Sequence, residues 1–481
     1  MSSCCTFAKM LLGALLMGNL CSCSISHEKE DKYSIQAKLA REFREYLTES
    51  INTSKSSLVA SQFVMKTLEK APAITHVQEN SEGTRRNVLC VDLGGTSLKM
   101  GIYQIGSDGQ TPVKQTEDFI VPIPKTAKEI GDRTIYEFMS EQVNQFVRSR
   151  RTDTGDAALL MEGALTFSYP LESHDGKMKV VKFTKKFGWK RVETEHEIPL
   201  DELNKMTSDT VAFRVILNDT TALGAWAGIT HENAIGGFVL GTGMNCSYLE
   251  SSPEAIRIFN TECGSFNFTG IDALTDSIDA EMANNSPEQE RNVYLLEKMV
   301  GGLYFEEYIN LCIEKSIEET TARKIKCVIG EPNEQSAHTK KSFVVKNHRL
   351  SPEEIEEDLI EFFRSEHPDH IDILDSVIRM SHSIVEKTTD RKHKVCAALL
   401  AGMISKSRAQ TGRNSFVFGL TGSGCKGAEF QRAVKGYIAS ILKEIDEDAS
   451  GEASVEFEFS EEASLLGGAC AYARNCPRSQ P

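Results

Sequence analysis

Hydrophobic positions along this chain follow two rhythms that change from segment to segment. Ile35, Leu39, Phe43, Leu47 and Ile51 recur every four residues with charges between them, which predicts helix across 32–70, with a second amphipathic piece from Leu58 to Leu68. From Val88 to Gln104 the rhythm changes: VLCVDLGGTSLKMGIYQ reads as an apolar run, a glycine turn and a second run with alternating apolar residues. That is a β-hairpin. Gly236–Glu250, GGFVLGTGMNCSYLE, repeats the design roughly 150 residues on, about one domain length. Two strand–glycine turn–strand units at that separation predict two related lobes, each offering a turn to one nucleotide.

The remaining segments alternate between the two periods. Phe119–Ile123, Leu159–Phe167 and the β-branched run Val211–Leu217 read as strands, and Ile135–Val147 as a helix. Arg291–Lys315 reads as one long helix, and Ser351-Pro352-Glu353-Glu354 as a helix start with a Ser cap and a first-turn Pro. The basic, turn-rich 320–350 reads as a surface loop, 371–407 as one or two helices, Phe416–Gly422 as a strand ending in a glycine turn, and the last helix begins near Ser460. Strands alternating with helices give an α/β class. The expected division is an N-terminal hydrophobic segment at 1–25, packing helices at 26–86, a small α/β lobe at 87–218, a large one at 219–458, and a C-terminal helix at 459–481 returning to the small lobe.

Composition narrows the partners. A net charge of −15 with no compensating basic stripe argues against nucleic acid. No apolar run after the N-terminus is long enough to predict a stable membrane span. The 13 cysteines show no metal-ligand spacing, and Cys246, Cys263 and Cys425, which fall inside glycine motifs, are expected to be thiols. Lys9, the apolar run Met10–Leu20 and the small residues after it have the layout of a secretory signal peptide. A membrane-surface anchor acylated at Cys4 and Cys5, or a plain tail, competes with that reading. Secretion would also expose two sequons, Asn218-Asp219-Thr220 and Asn245-Cys246-Ser247, to glycosylation.

The candidate chemistry sits at strand ends. Asp92 closes an apolar run where a carboxylate can hold a hydrated Mg²⁺, and Gly94, Gly95 and Thr96 follow with room for phosphate oxygens at the backbone. Asp219 follows a buried-looking strand and precedes the small-residue helix TALGAWAG, which turns its carboxylate to the cleft or makes it the helix cap.

An ordered set of motifs then resembles the eukaryotic hexokinase family: DLGGT (92–96), FSYP (167–170), FTKKF (183–187), LNDTTALGA (217–225), GTGMNCSYLE (241–250), NTECGSFN (260–267), LEKMVGGLY (296–304), GLTGSGCKGAEF (419–430) and SEEASLLGGA (460–469). It runs through 35–475 in the family's order. The resemblance implies a two-lobed, actin-like ATPase fold with a hinged cleft, Mg²⁺ and ATP as cofactor and co-substrate, and glucose or a related hexose phosphorylated at its 6-hydroxyl. It places the sugar on Ser168, Thr184, Lys185, Asn218, Asp219, Asn245, Glu262 and Glu297, with Asp219 and Lys185 catalytic. The nucleotide falls on Asp92, Gly94, Gly95, Thr96, Lys99, Gly241, Thr242, Gly243, Gly422 and Ser423. The chain departs from the family at Ser97-Leu98-Lys99, Cys263, Thr421, Ala463, Leu465 and Leu466, mostly around the nucleotide. A catalytically silent sugar sensor and a sugar-indifferent ATPase are therefore kept as rivals. With an export signal the chain resembles the hexokinases of microsporidian intracellular parasites, which implies a secreted enzyme acting on host sugar. A monomer or a homodimer is compatible with all of this.

Overall fold

Alternating apolar runs zip into two large sheets. The computed structural model describes residues 34–53, 61–66, 86–106, 112–124, 133–151, 160–174, 177–181, 189–192, 197–252, 255–285, 293–329, 352–366, 368–446 and 451–476. At 52–53, 61–66, 151, 173–174, 321–329, 352–353, 366 and 369–370 the structure describes the backbone alone. The N-terminal hydrophobic segment, residues 54–60 and 67–85 of the expected packing helices, the stretch from 330 to 351, and Thr184 and Lys185 lie outside the described residues.

The strands are β1 (Ser61–Lys66), β2 (Arg86–Leu93), β3 (Ser97–Ile105), β4 (Val113–Lys114), β5 (Phe119–Pro122), β6 (Met161–Phe167), β7 (Leu171–His174), β8 (Lys177–Val180), β9 (Val211–Leu217), β10 (Ala234–Leu240), β11 (Met244–Ser251), β12 (Ala255–Asn260), β13 (Ser415–Thr421) and β14 (Ser454–Phe459). One sheet has the order β4-β3-β2-β6-β9, with β5 also on β3; the other runs β1-β12-β11-β10-β13-β14; β7 and β8 pair alone. In each large sheet an antiparallel hairpin (β2–β3, β10–β11) continues from its first strand into two parallel strands (β6 and β9, β13 and β14). The two glycine-turned hairpins are thus the visible part of a repeat that extends over whole sheets.

The helices are α1 (Ile35–Thr53), α2 (Ile135–Arg151), α3 (Pro199–Thr207), α4 (Asp219–Thr230), α5 (Ser277–Asn285), α6 (Leu295–Val300), α7 (Gly302–Ile329), α8 (Pro352–Glu366), α9 (Leu374–Thr411), α10 (Ala428–Ile445) and α11 (Ala463–Asn475). The first sheet buries Leu89, Val91 and Leu165 against Phe138, Val143 and Leu203 of α2 and α3. Its other face buries Val88, Cys90 and Ala164 against Leu465, Ala469 and Tyr472 of α11. The second sheet packs Phe238, Tyr248 and Phe418 on α1, α9 and α10, and Leu249 and Ile258 on Leu223, Trp226 and Ala227 of α4. A separate apolar cluster joins α5, α7, α8 and α9.

The two lobes are tied where α4 crosses α11. A Cβ at Gly467 would stand 1.8 Å from the carbonyl oxygen of Ala222, so only glycine permits this backbone approach. Thr166 Oγ1 adds a hydrogen bond to Ser464 O, at 3.1 Å, from the end of β6 to the start of α11.

Three expectations change. The piece read as helical at Leu58–Leu68 holds strand β1, whose backbone pairs antiparallel with β12 from Ser61↔Asn260 to Lys66↔Ala255. An open sheet edge outcompeted the local helical rhythm. The segment read as one helix from Arg291 to Lys315 starts at Leu295 and breaks at Gly301, because the amides of Gly302 and Leu303 turn away to bond Gly241 O and Thr242 O at 2.8 and 3.0 Å. That second helix also continues to Ile329, into the stretch read as a surface loop. The one or two helices expected at 371–407 are there: a short 3-10 helix, Pro368–Ile373, leads into one long helix, Leu374–Thr411.

Candidate active site

Parallel strands that share a register end together, so the loops leaving their C-terminal ends converge. Here six such ends face one cleft: β2, β6 and β9 from the first sheet, β10, β13 and β14 from the second. Gly94, Ser168, Asn218, Gly241 and Gly422, which directly follow the first five, and Glu461, two residues past β14, all line a cavity of about 410 Å³. Every sequence-predicted site residue within the described residues lines it too: Asp92, Gly94, Gly95, Thr96, Lys99, Ser168, Asn218, Asp219, Gly241, Thr242, Gly243, Asn245, Glu262, Glu297, Gly422 and Ser423.

Asp219 is the first residue of α4, and the cap is its neighbour: Asn218 Oδ1 accepts from Thr220 N at 3.0 Å. The sequence left open whether Asp219 was the cap; Asn218 has that job, and its amide group is what it can offer a ligand. Asp219 Oδ1 also accepts from Thr220 N, at 2.8 Å, which holds the carboxylate at the helix N-terminus, where the helix dipole favours negative charge.

The other carboxylates are held from behind. Met244 N donates to Glu297 Oε2 at 3.1 Å, and Asn260 Nδ2 donates to Glu262 Oε1 at 2.6 Å. Asn245 is fixed at both ends, with Nδ2 donating to Asn260 Oδ1 at 2.9 Å and Oδ1 accepting from Cys246 N at 2.8 Å. Thr220 Oγ1 donates to Asn218 Oδ1 at 2.6 Å and approaches Asn260 Oδ1 at 3.2 Å. One fully buried side chain, Asn260, therefore links Thr220, Asn245 and Glu262. Sequence reasoning passed over Asn260, although it opens the NTECG motif.

Backbone strain gathers at the same place. Among the described residues the non-glycine positions with positive φ are Glu262 (47°) and Tyr294 (58°), and both line the cleft. Such conformations cost on the order of 1–3 kcal/mol and cluster at ligand sites. Tyr294, Tyr304, Lys426 and Glu461 are cleft residues the sequence reading did not single out.

The glycine turns complete the lining. Gly94 N donates to Ser97 O and Gly241 N to Gly243 O, both at 3.0 Å, so these two amides close their own turns, and any phosphate contact falls to the rest of each loop. Gly422 has φ 101°, and a Cβ there would lie 2.3 Å from Leu240 O; this turn must be glycine. Beside the turns stand two lysines. Lys99 Nζ reaches Glu461 O at 3.5 Å, and Lys426 pairs with the Glu461 carboxylate, holding it below the usual range. Carboxylates thus line the strand-end floor, while cations accompany the glycine loops. Asp92, 7 % exposed, lies at the end of β2 directly before the first turn.

A duplicated sheet plan with the cleft between its strand ends is the two-lobed fold of the actin-like ATPases, in the form hexokinases give it. A hexokinase sequence profile matches residues 23–226 and a second hexokinase profile matches residues 235–474. The chain belongs to the hexokinase family. It is 26% identical over 260 residues to hexokinase of Schistosoma mansoni, covering 51% of this chain and 55% of that one. It is 26% identical over 272 residues to Hexokinase-2 of Oryza sativa subsp. japonica (52% of each), and 23% identical over 323 residues to Hexokinase HKDC1 of Mus musculus (65% and 33%). The matched span is thus about half, or a third, of those relatives' length. Among solved structures, Schistosoma mansoni hexokinase complexed with glucose superposes with TM-score 0.63 at 19% identity (91% of this chain, 94% of that one), and a second hexokinase crystal structure with 0.62 at 16% (93% and 96%). At such identities these two establish the fold.

Proposed function

We propose that the chain transfers the γ-phosphoryl group of ATP to the 6-hydroxyl of a hexose, D-glucose being the first candidate. The observation that carries this is the convergence of Asp219, Asn245, Glu262 and Glu297 with three glycine turns in one cleft. A hexose presents a ring of hydroxyls that both donate and accept, and anchored carboxylates and amides hold them in one orientation. The glucose in the Schistosoma structure is consistent with the same ligand class here.

Asp219 accepts the 6-hydroxyl proton as its oxygen attacks phosphorus, a contribution of about 10²–10⁴-fold. Ser168, Asn218, Asn245, Glu262 and Glu297 fix the ring, and the sequence motif adds Thr184 and Lys185. The triphosphate lies along 94–96, 241–243 and 422–423 with Lys99 beside it. The donor set fits Mg²⁺ carried by phosphate: Asp92 supplies a hard oxygen at the first turn, and among the described residues no group of three His, Cys, Asp or Glu forms a cage that would hold a metal by itself. Bound there, the ion neutralises charge developing on the phosphates. Closure of the lobes about the α4–α11 crossing excludes water, which otherwise competes as nucleophile.

A glycan on Asn218, 5 % exposed, does not fit this geometry, so a secreted form must leave that sequon unmodified. Export remains our reading of residues 1–25.

The test is ADP release with and without glucose, for wild type and Asp219→Asn. Expected is glucose-dependent turnover that falls about 10²–10⁴-fold in the variant while glucose binding persists. A variant as fast as wild type removes Asp219 from its role, and ATP turnover indifferent to sugar removes the hexose. Thr421, where the family carries Asp, favours the second reading, a silent sugar sensor; that protein binds glucose and shows no turnover.

A further inference from the structure

We propose that Cys246 and Cys263 form an oxidisable dithiol beneath the sugar-binding floor, which exchanges with a low-molecular-weight disulfide to close a bond between them. The Sγ atoms are 3.1 Å apart with one S–H shared between them, and both residues are fully buried. A disulfide needs about 2.05 Å. Each cysteine directly follows a cleft residue, Asn245 on β11 and Glu262 on its left-handed turn. The two backbones are already tied across this gap, because Thr261 N and Thr261 Oγ1 donate to Cys246 O at 3.0 and 2.9 Å. Cys425, by contrast, has its thiol turned to Thr421 O and Gly422 O.

The small disulfide is the electron acceptor, and the exchange balances. One cysteine thiolate attacks the small disulfide, forming a mixed disulfide and releasing one thiol. The second thiolate attacks the protein sulfur of that intermediate, releasing the second small thiol. Two protein thiols are oxidised, one disulfide is reduced to two thiols, and both protons stay with the products. Burial, then the neighbouring Cys246 thiol, push the Cys263 thiol well up, so exchange quickens as pH rises. Neither thiol lines the cavity, but each is one residue from a side chain that does, so a sugar held by Asn245 and Glu262 braces the loops that must open for exchange.

The consequence is positional. Shortening 3.1 Å to a bond draws the Asn245 and Glu262 backbones together by up to about 1 Å, a misplacement that costs on the order of 10²-fold in rate when reacting groups carry it. Split between two ligand-bearing loops, the expected loss of hexose turnover is about tenfold or more, restored by dithiothreitol. This activity readout rests on the proposed function; the bond does not.

The experiment incubates the full chain with oxidised glutathione, with and without glucose, traps remaining thiols with N-ethylmaleimide, and maps peptides by mass spectrometry. Expected is a Cys246–Cys263 cross-linked peptide that forms more slowly with glucose present. Recovery of both cysteines alkylated, or a link to Cys396 in place of this one, overturns the proposal. Cys263→Ala should keep wild-type turnover and lose its sensitivity to oxidised glutathione; continued inactivation of that variant counts equally against the pair. If the chain shows no sugar-dependent turnover at all, the proposed function fails while the peptide map still decides the dithiol.

Discussion

Asn260→Ala is the perturbation that separates a positioning network from mere packing. Asn260 is fully buried; its Nδ2 donates to Glu262 Oε1 at 2.6 Å, and its Oδ1 serves Asn245 Nδ2 at 2.9 Å and lies 3.2 Å from Thr220 Oγ1. Thr220 gives its one hydroxyl proton to Asn218, so Asn260 makes two full hydrogen bonds; one to a charged group contributes about 1.5–3 kcal/mol and a neutral one about 0.5–1.5, together roughly 2–4.5 kcal/mol. Glu262 and Asn245 line the cleft and recover part of this from water, which brings the expected loss of stability to about 2–3 kcal/mol. The larger effect is aim. Glu262 sits on a backbone with φ 47°, and losing its anchor frees the carboxylate to swing. The assay is glucose-dependent ADP release with urea unfolding as a control for folding. We expect KM for glucose to rise by about tenfold or more, since one anchored charge-assisted contact is worth over 1.4 kcal/mol, with a smaller change in KM for ATP. A folded variant whose glucose KM stays within about twofold of wild type would falsify the network's role.

Two further outcomes follow from packing and titration. Gly467→Ala puts a Cβ 1.8 Å from Ala222 O and must separate α4 from α11; overpacking costs about 1–3 kcal/mol, so the melting temperature and turnover should fall together, because α4 carries Asp219 at its first position. His393, buried against the Phe430 ring, has its pKa held below the ordinary 6.5 by burial and then by Lys392, with Glu429 and Asp390 opposing. The unfolded chain then binds the extra proton, so stability present above pH 6.5 is lost as pH falls through that value toward the folded pKa. His393→Gln should flatten this decline in urea midpoints; an unchanged slope would place the acid sensitivity elsewhere.

Much of the fold was legible because local patterns carried it. The hairpins at 88–104 and 236–250, the strand Val211–Leu217 and the helix start at Pro352 appear where period, turn glycines and a first-turn proline put them. Where tertiary contacts outweigh local preference, the sequence misled. β1 is a strand because β12 offered an open edge, and the helix expected from Arg291 breaks because Gly302 and Leu303 spend their amides on the 241–242 loop. Neither partner is near in sequence, so no window of residues could reveal them.

The site divides the same way. Motif order singled out the carboxylates, amides and glycine turns, since chemistry restricts which residue types can hold a sugar or a phosphate. That Asn218 and not Asp219 caps α4, that Asn260 ties Asn245 to Glu262, and that Cys246 meets Cys263 depend on where β11, β12 and α4 come together. Sequence alone fixed the residue types and their order, because periodicity and turn chemistry act over a few neighbours. Convergence of six strand ends on one cleft was decided only by the folded sheets, because residues as distant in sequence as Asp92 and Glu461 can be brought to one cleft only by the packing between them.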